Sequence, residues 1–356
     1  MNNAQLQKVL TNMHEMGLKQ LLITSPMSIK YITGRLIGPG ERLLALLVTD
    51  EGDCTLVANS LFAVGSMDGA RLIEYDDTDD TAKLLSSLLK GGVLGVDKEL
   101  KSRFLLPLID LRLDIRPVLG SLCVDRARMI KTGEELSLMA ESSRLNDLAL
   151  SETIKTLRAG QSEEDVAGIY RHKALSLGSP GESFPSLICR GPNCAEPHHD
   201  TSKDLLQSGD SVILDVGLLH GGYCSDMTRT VFLGKPTDEM RKVYALVKAA
   251  NEAGRAAVKP GMALKDVDRA ARSVIESAGY GKYFIHRTGH NIGLEVHEYP
   301  DVSQSSGEVC QPGMVFSIEP GIYLPGRFGV RIEDLVAVTP EGGKTLNHLD
   351  RELTIL

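Results

Sequence analysis

Hydrophobic positions in the first third of the chain switch repeatedly between helical and strand-like spacing. Leu6, Val9, Leu10 and Met13 share one helical face, Gly17 closes that helix, and Gln20 to Thr24 reads as a strand. Leu43 to Thr49, the turn Asp50-Glu51-Gly52-Asp53 and Cys54 to Ala58 read as a hairpin. The acidic run Glu74 to Asp80 has neither the central glycine nor the terminal glutamate of a calcium-binding EF-hand loop, so it predicts a solvated loop ahead of a helix. No GxGxxG or P-loop string follows any of these strands, which leaves nucleotide binding without specific support. Together these elements predict a smaller α/β domain over residues 1–124.

Near Val118 to Asp125 the alternation gives way to a long helical pattern, opening a second domain over residues 125–356. Thr132 and Glu135 fit a capping box, and Leu138, Leu145 and Leu148 continue one face until Ala159-Gly160. Further on, Ser211 to Val216 and Tyr223 to Phe232 are strand-like runs flanking Leu219-His220-Gly221-Gly222, a predicted hairpin. This half of the chain also repeats itself. Gly209 to Gly217 overlays Gly313 to Gly321 at an offset of 104 residues, matching Asp215 with Glu319. Gly160, Asp165-Val166 and Gly178 recur as Gly261, Asp266-Val267 and Gly279 at an offset of 101. Asp226 and Glu333 follow Asp215 and Glu319 by 11 and 14 residues, so each repeat supplies two carboxylates.

Asp215, Asp226, Glu319 and Glu333, with His290, lie in apolar, glycine-punctuated strings. A carboxylate buried alone in such a setting costs several kcal/mol unless paired, protonated or metal-bound. Each taken singly also reads as a salt-bridge or turn residue; the five together predict one metal site. A carboxylate-rich set with one imidazole suits a catalytic divalent ion better than structural zinc, which favours thiolates. Four carboxylates exceed what one ion normally needs. The expected cofactor is therefore a pair of divalent ions, manganese or cobalt ahead of zinc or iron, able to hold a hydroxide at neutral pH.

The chain has 356 residues, 42% of them hydrophobic, and a formal net charge of −8, which argues against nucleic-acid or anionic-membrane partners. Met1 to Lys8 has no apolar signal core, and the longest apolar stretch, Leu43 to Val48, is far too short to span a bilayer. Cys54, Cys123, Cys189, Cys194, Cys224 and Cys310 are scattered without a CxxC pair, as expected of free thiols in a reducing cytoplasm.

The strings around Asp215, Gly222 to Thr230, His286 to Glu298, Gly313 to Tyr323 and Gly329 to Asp334 resemble the pita-bread metallopeptidases, and among them the Xaa-Pro peptidases, prolidase and aminopeptidase P. Nearly the whole chain shares the likeness, since Tyr31-Ile32-Thr33-Gly34 and Glu41-Arg42 resemble the family's non-catalytic N-terminal domain. The resemblance implies an α+β, creatinase/aminopeptidase-like catalytic domain with an internal pseudo-twofold repeat. It implies that Asp215 chelates one metal, that His290 and Glu319 hold the other, and that Asp226 and Glu333 bridge the pair. A metal-bridging hydroxide would then cleave the bond before proline in a di- or oligopeptide, with Glu319 shuttling the proton. By the same likeness His198 and His297 bind substrate and stabilise the intermediate, while His286, Tyr323 and Arg331 are secondary site residues. A homodimer is also implied. His199 and His220 read as solvent or turn residues, and His14, His172 and His348 fall outside every motif.

One departure concerns specificity. Many relatives carry arginine after the His-Glu-Xaa-Pro string, where it can bind a substrate carboxylate. This chain has Asp301 after His297-Glu298-Tyr299-Pro300, leaving Arg327 or Arg190 as substitute cations and the choice between dipeptides and longer peptides open. Two other readings stand beside the peptidase: a hydrolase of another small amide on the same fold, and a non-enzymatic peptide-binding module.

Overall fold

A computed structural model describes all 356 residues, which divide into two compact units, Met1–Arg128 and Met129–Leu356. The first contains α1 (Asn3–Glu15), β1 (Gln20–Ile23), α2 (Pro26–Thr33), β2 (Leu44–Thr49), β3 (Cys54–Asn59), β4 (Arg71–Tyr75), α3 (Thr81–Leu88), β5 (Gly92–Val96), α4 (Ser102–Leu111) and β6 (Ile115–Leu119); α5 (Leu122–Met129) ends where the units divide. Leu6, Val9, Leu10 and Met13 are the buried face of α1, and Gly17 takes the left-handed conformation that ends it. Six strands form one mixed sheet in the order β4-β3-β2-β1-β5-β6, with the β2–β3 hairpin at its antiparallel centre. The acidic run is more than a solvated loop. Asp80 caps α3 by accepting from the Ala82 and Lys83 amides, Asp76 accepts from Thr78, and Asp77 pairs with Arg42 at 2.7 Å.

The second unit opens with α6 (Gly133–Ile154) and α7 (Glu163–Ser176), continues through β7 (Leu187–Arg190), β8 (Ser211–Val216), β9 (Leu219–His220), β10 (Tyr223–Cys224) and β11 (Met227–Phe232), and reaches α8 (Asp238–Ala257) and α9 (Leu264–Ser277). There follow β12 (Gly289–Asn291), β13 (Glu298–Val302), β14 (Val315–Ile318), β15 (Gly321–Leu324), β16 (Phe328–Arg331), β17 (Asp334–Thr339), β18 (Gly342–Thr345) and β19 (Thr354–Ile355). The capping box of Thr132 and Glu135 is present, but the helix stops at Ile154, short of Ala159, and Leu148 is exposed. Its inward stripe is instead partly polar. Ser142 donates to the Leu218 carbonyl, Asn146 donates to that of Val216, and Tyr170 donates to Asn146, so buried polar groups tie α6 and α7 to the chain around β8.

The repeat is structural. In each half a helix pair leads to a strand, a short two-stranded ribbon and a return strand: β8, β9–β10 and β11 first, then β14, β15–β16 and β17. Gly160 donates to the Leu206 carbonyl and Gly261 to that of Cys310, and the bridges Ser162–Leu205 and Ala263–Val309 occupy matching places. Leu150, Tyr170, Leu214 and Met227 are core residues of the first half; Leu264, Val267, Phe316 and Val336 belong to a separate core in the second. β8, β11 and β14, β17 belong to separate sheets, ordered β19-β11-β8-β7 and β13-β12-β14-β17-β18.

Candidate metal centre

Strand ends and breaks place the acidic residues. Asp215 lies opposite Thr228 near the end of β8. The predicted run Tyr223 to Phe232 is interrupted at Ser225-Asp226, Glu319 follows β14 directly, and Glu333 occupies the equivalent break before β17. At a break a side chain is released from the alternation of the pleat, which lets carboxylates from both halves face one cavity. The cavity holds about 860 Å³ and is lined by all five expected ligands together with His198, His286, His297 and Arg331.

His290 reaches the centre because β12 presses against β14. An added Cβ at Gly289 would lie 1.8 Å from the Ser317 carbonyl oxygen, so this contact requires glycine. The Glu319 amide donates to the Thr288 carbonyl at 2.8 Å, and the His290 amide donates to Ser317 Oγ at 3.0 Å. His290 Nδ1 lies 3.2 Å from the Asn291 carbonyl, which can only accept, so Nδ1 carries the proton and Nε2 offers its lone pair to the centre. Nε2 lies 3.4 Å from Glu319 and 3.7 Å from Asp226. Donor atoms of Asp226, His290 and Glu333 lie within 4.8 Å of one another.

Electrostatically the centre is short of cations. Asp215 Oδ1, Asp226 Oδ1 and Glu333 Oε1 are buried with no hydrogen-bond donor, the condition of oxygens shaped for a metal ion. Burial, reinforced by the neighbouring carboxylates, pushes the Asp226 and Glu333 carboxyls well above the usual range. Burial raises Glu319 to about 7 against the pull of Arg331, and lowers His290 to about 3 with help from His297 and Arg287. An oxygen-rich set with one neutral imidazole fits a divalent ion.

Arg331, itself buried, ties the wall of the cavity together. It donates to Asp215 Oδ2 at 2.6 Å, to Tyr323 Oη at 2.9 Å and to Thr228 Oγ1 at 3.1 Å, and the Thr228 hydroxyl in turn donates a hydrogen bond to Glu333 Oε2 at 2.7 Å. Tyr323 is buried one layer behind the cavity, its hydroxyl 2.8 Å from His286 Nε2. Burial and Arg331 hold His286 neutral, at about 3, so Nε2 accepts from the tyrosine while Nδ1 donates to the Arg287 carbonyl.

Several residues differ from expectation. His199 lines the cavity rather than solvent, and pairs with buried Glu163 at 3.0 Å. Glu163 also accepts from the Arg190 amide, Asn193 and Ser202, fixing the loop that carries His198. Its partners are spread over residues 190–202, with no local motif to reveal them. Arg190 and Arg327 are not cavity cations: Arg190 is bound to Asp210 at 2.7 Å and Arg327 to Glu239. The cation that reaches the cavity beside Arg331 is Arg287, held by Asp301 at 2.8 Å.

Such a fold and site define a metallopeptidase. The chain matches the models of metallopeptidase family M24 over residues 137–340 and of the creatinase/prolidase N-terminal domain over residues 5–130, and it belongs to that family. It is 35% identical to a Xaa-Pro dipeptidase of Lactobacillus helveticus, with 94% of each chain covered. A recombinant prolidase from Thermococcus sibiricus superposes with a TM-score of 0.95 at 34% identity, covering 100% of this chain and 99% of that one. A dipeptidase from Pyrococcus horikoshii gives 0.92 at 36% identity, covering 99% of this chain and 100% of that one. The chain therefore has the two-domain pita-bread fold and is a metal-dependent peptidase, which removes the binding-module alternative. No helix is long and apolar enough to cross a membrane.

Proposed function

We propose that this enzyme is a Xaa-Pro dipeptidase that uses two divalent cations to hydrolyse the bond between an N-terminal residue and a C-terminal proline. The convergence of four carboxylates and the lone pair of neutral His290 on one cavity carries the reading, with three buried oxygens left for a cation. The substrate class follows the Xaa-Pro dipeptidase relative. In this reading Asp215, Asp226, His290, Glu319 and Glu333 would hold the two ions; manganese or cobalt would suit these donors, and two ions would balance the four carboxylates. When bound, the cations would polarise the substrate carbonyl and acidify a water molecule.

The remaining work falls to side chains. Glu319 ionises once its neighbours are neutralised, accepts a proton from the attacking water and returns it to the proline nitrogen, which has no hydrogen of its own. His198 and His297, both exposed in the cavity, bind the substrate and steady the oxyanion as it develops. Arg331, with Tyr323 and His286 behind it, keeps Asp215 oriented. Phe184, Pro185, Leu187 and Val296 offer the pyrrolidine ring an apolar wall. Six buried free cysteines support a reducing, cytoplasmic setting, and the homodimer rests on the family resemblance alone.

The test is hydrolysis by the full-length protein, stripped of metal and reloaded with Mn²⁺ or Co²⁺, of Xaa-Pro dipeptides, Xaa-Pro-Yaa tripeptides and non-proline controls. Metal-dependent cleavage of the dipeptides is expected. Cleavage confined to tripeptides would make it an aminopeptidase P, and an Asp226→Ala variant as active as wild type would overturn the metal assignment.

A further inference from the structure

We infer that Arg287, braced by Asp301, is the specificity-determining residue that receives the free C-terminal carboxylate of the substrate. The inference rests on the dipeptidase reading above and adds the group that measures substrate length.

Two cationic side chains line the cavity, and their donors are used differently. Arg331 is 3% exposed and spends Nε, Nη1 and Nη2 on Thr228, Tyr323 and Asp215. Arg287 is 34% exposed, and its side chain makes one hydrogen bond to protein, from Nη1 to Asp301 Oδ1. Nε and Nη2 remain as a second donor edge, the geometry that a carboxylate accepts in bidentate fashion.

The position of this edge is fixed by the fold. Asp301 lies opposite His290 in the β12–β13 pair, and Arg287 lies two residues ahead of Gly289, the first residue of β12. The guanidinium is thus tied to the strand pair that carries a candidate metal ligand. Asp301 holds it at 2.8 Å where it lines the cavity, within electrostatic reach of Glu319 among the carboxylates of the centre. Those same carboxylates would repel a dipeptide's carboxylate, and Arg287 is the cavity cation with donors available to offset this. Adding a residue after proline moves the terminal charge by roughly 3.5 Å, beyond a hydrogen bond set for the dipeptide.

The Mn²⁺-loaded enzyme is assayed on an Xaa-Pro dipeptide and on the same peptide with its terminus amidated. Arg287→Met is expected to lower kcat/KM for the free acid by roughly 10-fold to 100-fold, mainly through KM, and to change the amide less than about threefold. Arg287→Lys recovers part of the loss. An equal loss on both substrates, or none on the free acid, overturns the inference while leaving the dipeptidase reading intact. A wild-type enzyme that cuts neither overturns both. Inhibition of wild type provides a measurement independent of variant folding: N-acetylproline should compete at least tenfold more strongly than N-acetylproline amide, and equal potency refutes the assignment.

Discussion

Asp226→Asn should move stability in opposite directions with and without metal. In the metal-free protein Asp226 is buried, its Oδ1 has no donor, and its neighbour His290 is uncharged at neutral pH. Donor atoms of Asp226 and Glu333 lie within 4.8 Å of each other, and two full negative charges there would repel by about 3 kcal/mol at an effective dielectric constant of 20, so without metal the pair bears either that repulsion or the cost of keeping a carboxyl protonated. An amide removes that repulsion but fits less well, for a net gain of about 1–2 kcal/mol, or roughly 2–8 °C in Tm. A cation at 100 times its Kd adds about 2.7 kcal/mol to the wild type, and close to nothing to a variant lacking a ligand. Thermal melts in chelator and in excess Mn²⁺ should therefore rank variant above wild type in the first and below it in the second. A variant that melts lower in chelator refutes the account of an overcharged centre. One that gains as much from Mn²⁺ as the wild type refutes Asp226 as a ligand.

The pH dependence of the metal-free protein has a defined sign. Glu319, Asp226 and Glu333 have raised folded-state pKa values, so their contribution is fullest below their unfolded values and is lost as pH rises, for Glu319 from 4.5 through about 7. His290 and His286, held near 3, act oppositely but only below 6.5. The unfolding free energy from urea titrations in chelator should consequently fall between pH 6.5 and 8, by up to about 1.4 kcal/mol per pH unit for each carboxyl titrating there, and a rise contradicts this assignment. Gly289→Ala should push β12 off β14 and displace His290; loss of Mn²⁺-dependent stabilisation in a melt checks it, and a variant that loads normally would show the contact to be soft. Lys131 and Glu298 form a buried pair at 3.1 Å, so Lys131→Met should cost about 3–5 kcal/mol in urea unfolding, with Glu298→Gln restoring much of it. Additive losses in the double variant would argue against their coupling.

The acidic residues of the centre could be read in one dimension because a charge inside an apolar strand string is conspicuous. The repeat was visible because its glycines keep their spacing while Asp215 and Glu319 keep their place. The α6 face is not legible in this way for a related reason: Ser142 and Asn146 look like surface residues until their partners, the carbonyls of Leu218 and Val216, are brought to them from far along the chain. Glu163 and His199 depend on contacts of the same kind. Arg287 stands within a matched string, yet its significance emerges only when Asp301, across the β12–β13 pair from His290, is seen to hold its guanidinium in the lining of the cavity.

The division of carboxylates between repeats also makes this catalytic unit a natural candidate for splitting. Asp215 and Asp226 precede the Gly234-Lys235-Pro236 connection, whereas His290, Glu319 and Glu333 follow it. A chain cut at that connection would yield two fragments, neither holding a complete site. Their reassembly would be reinforced by β19 pairing with β11 and by any cation that binds both, so metal could serve as the glue of a two-piece enzyme.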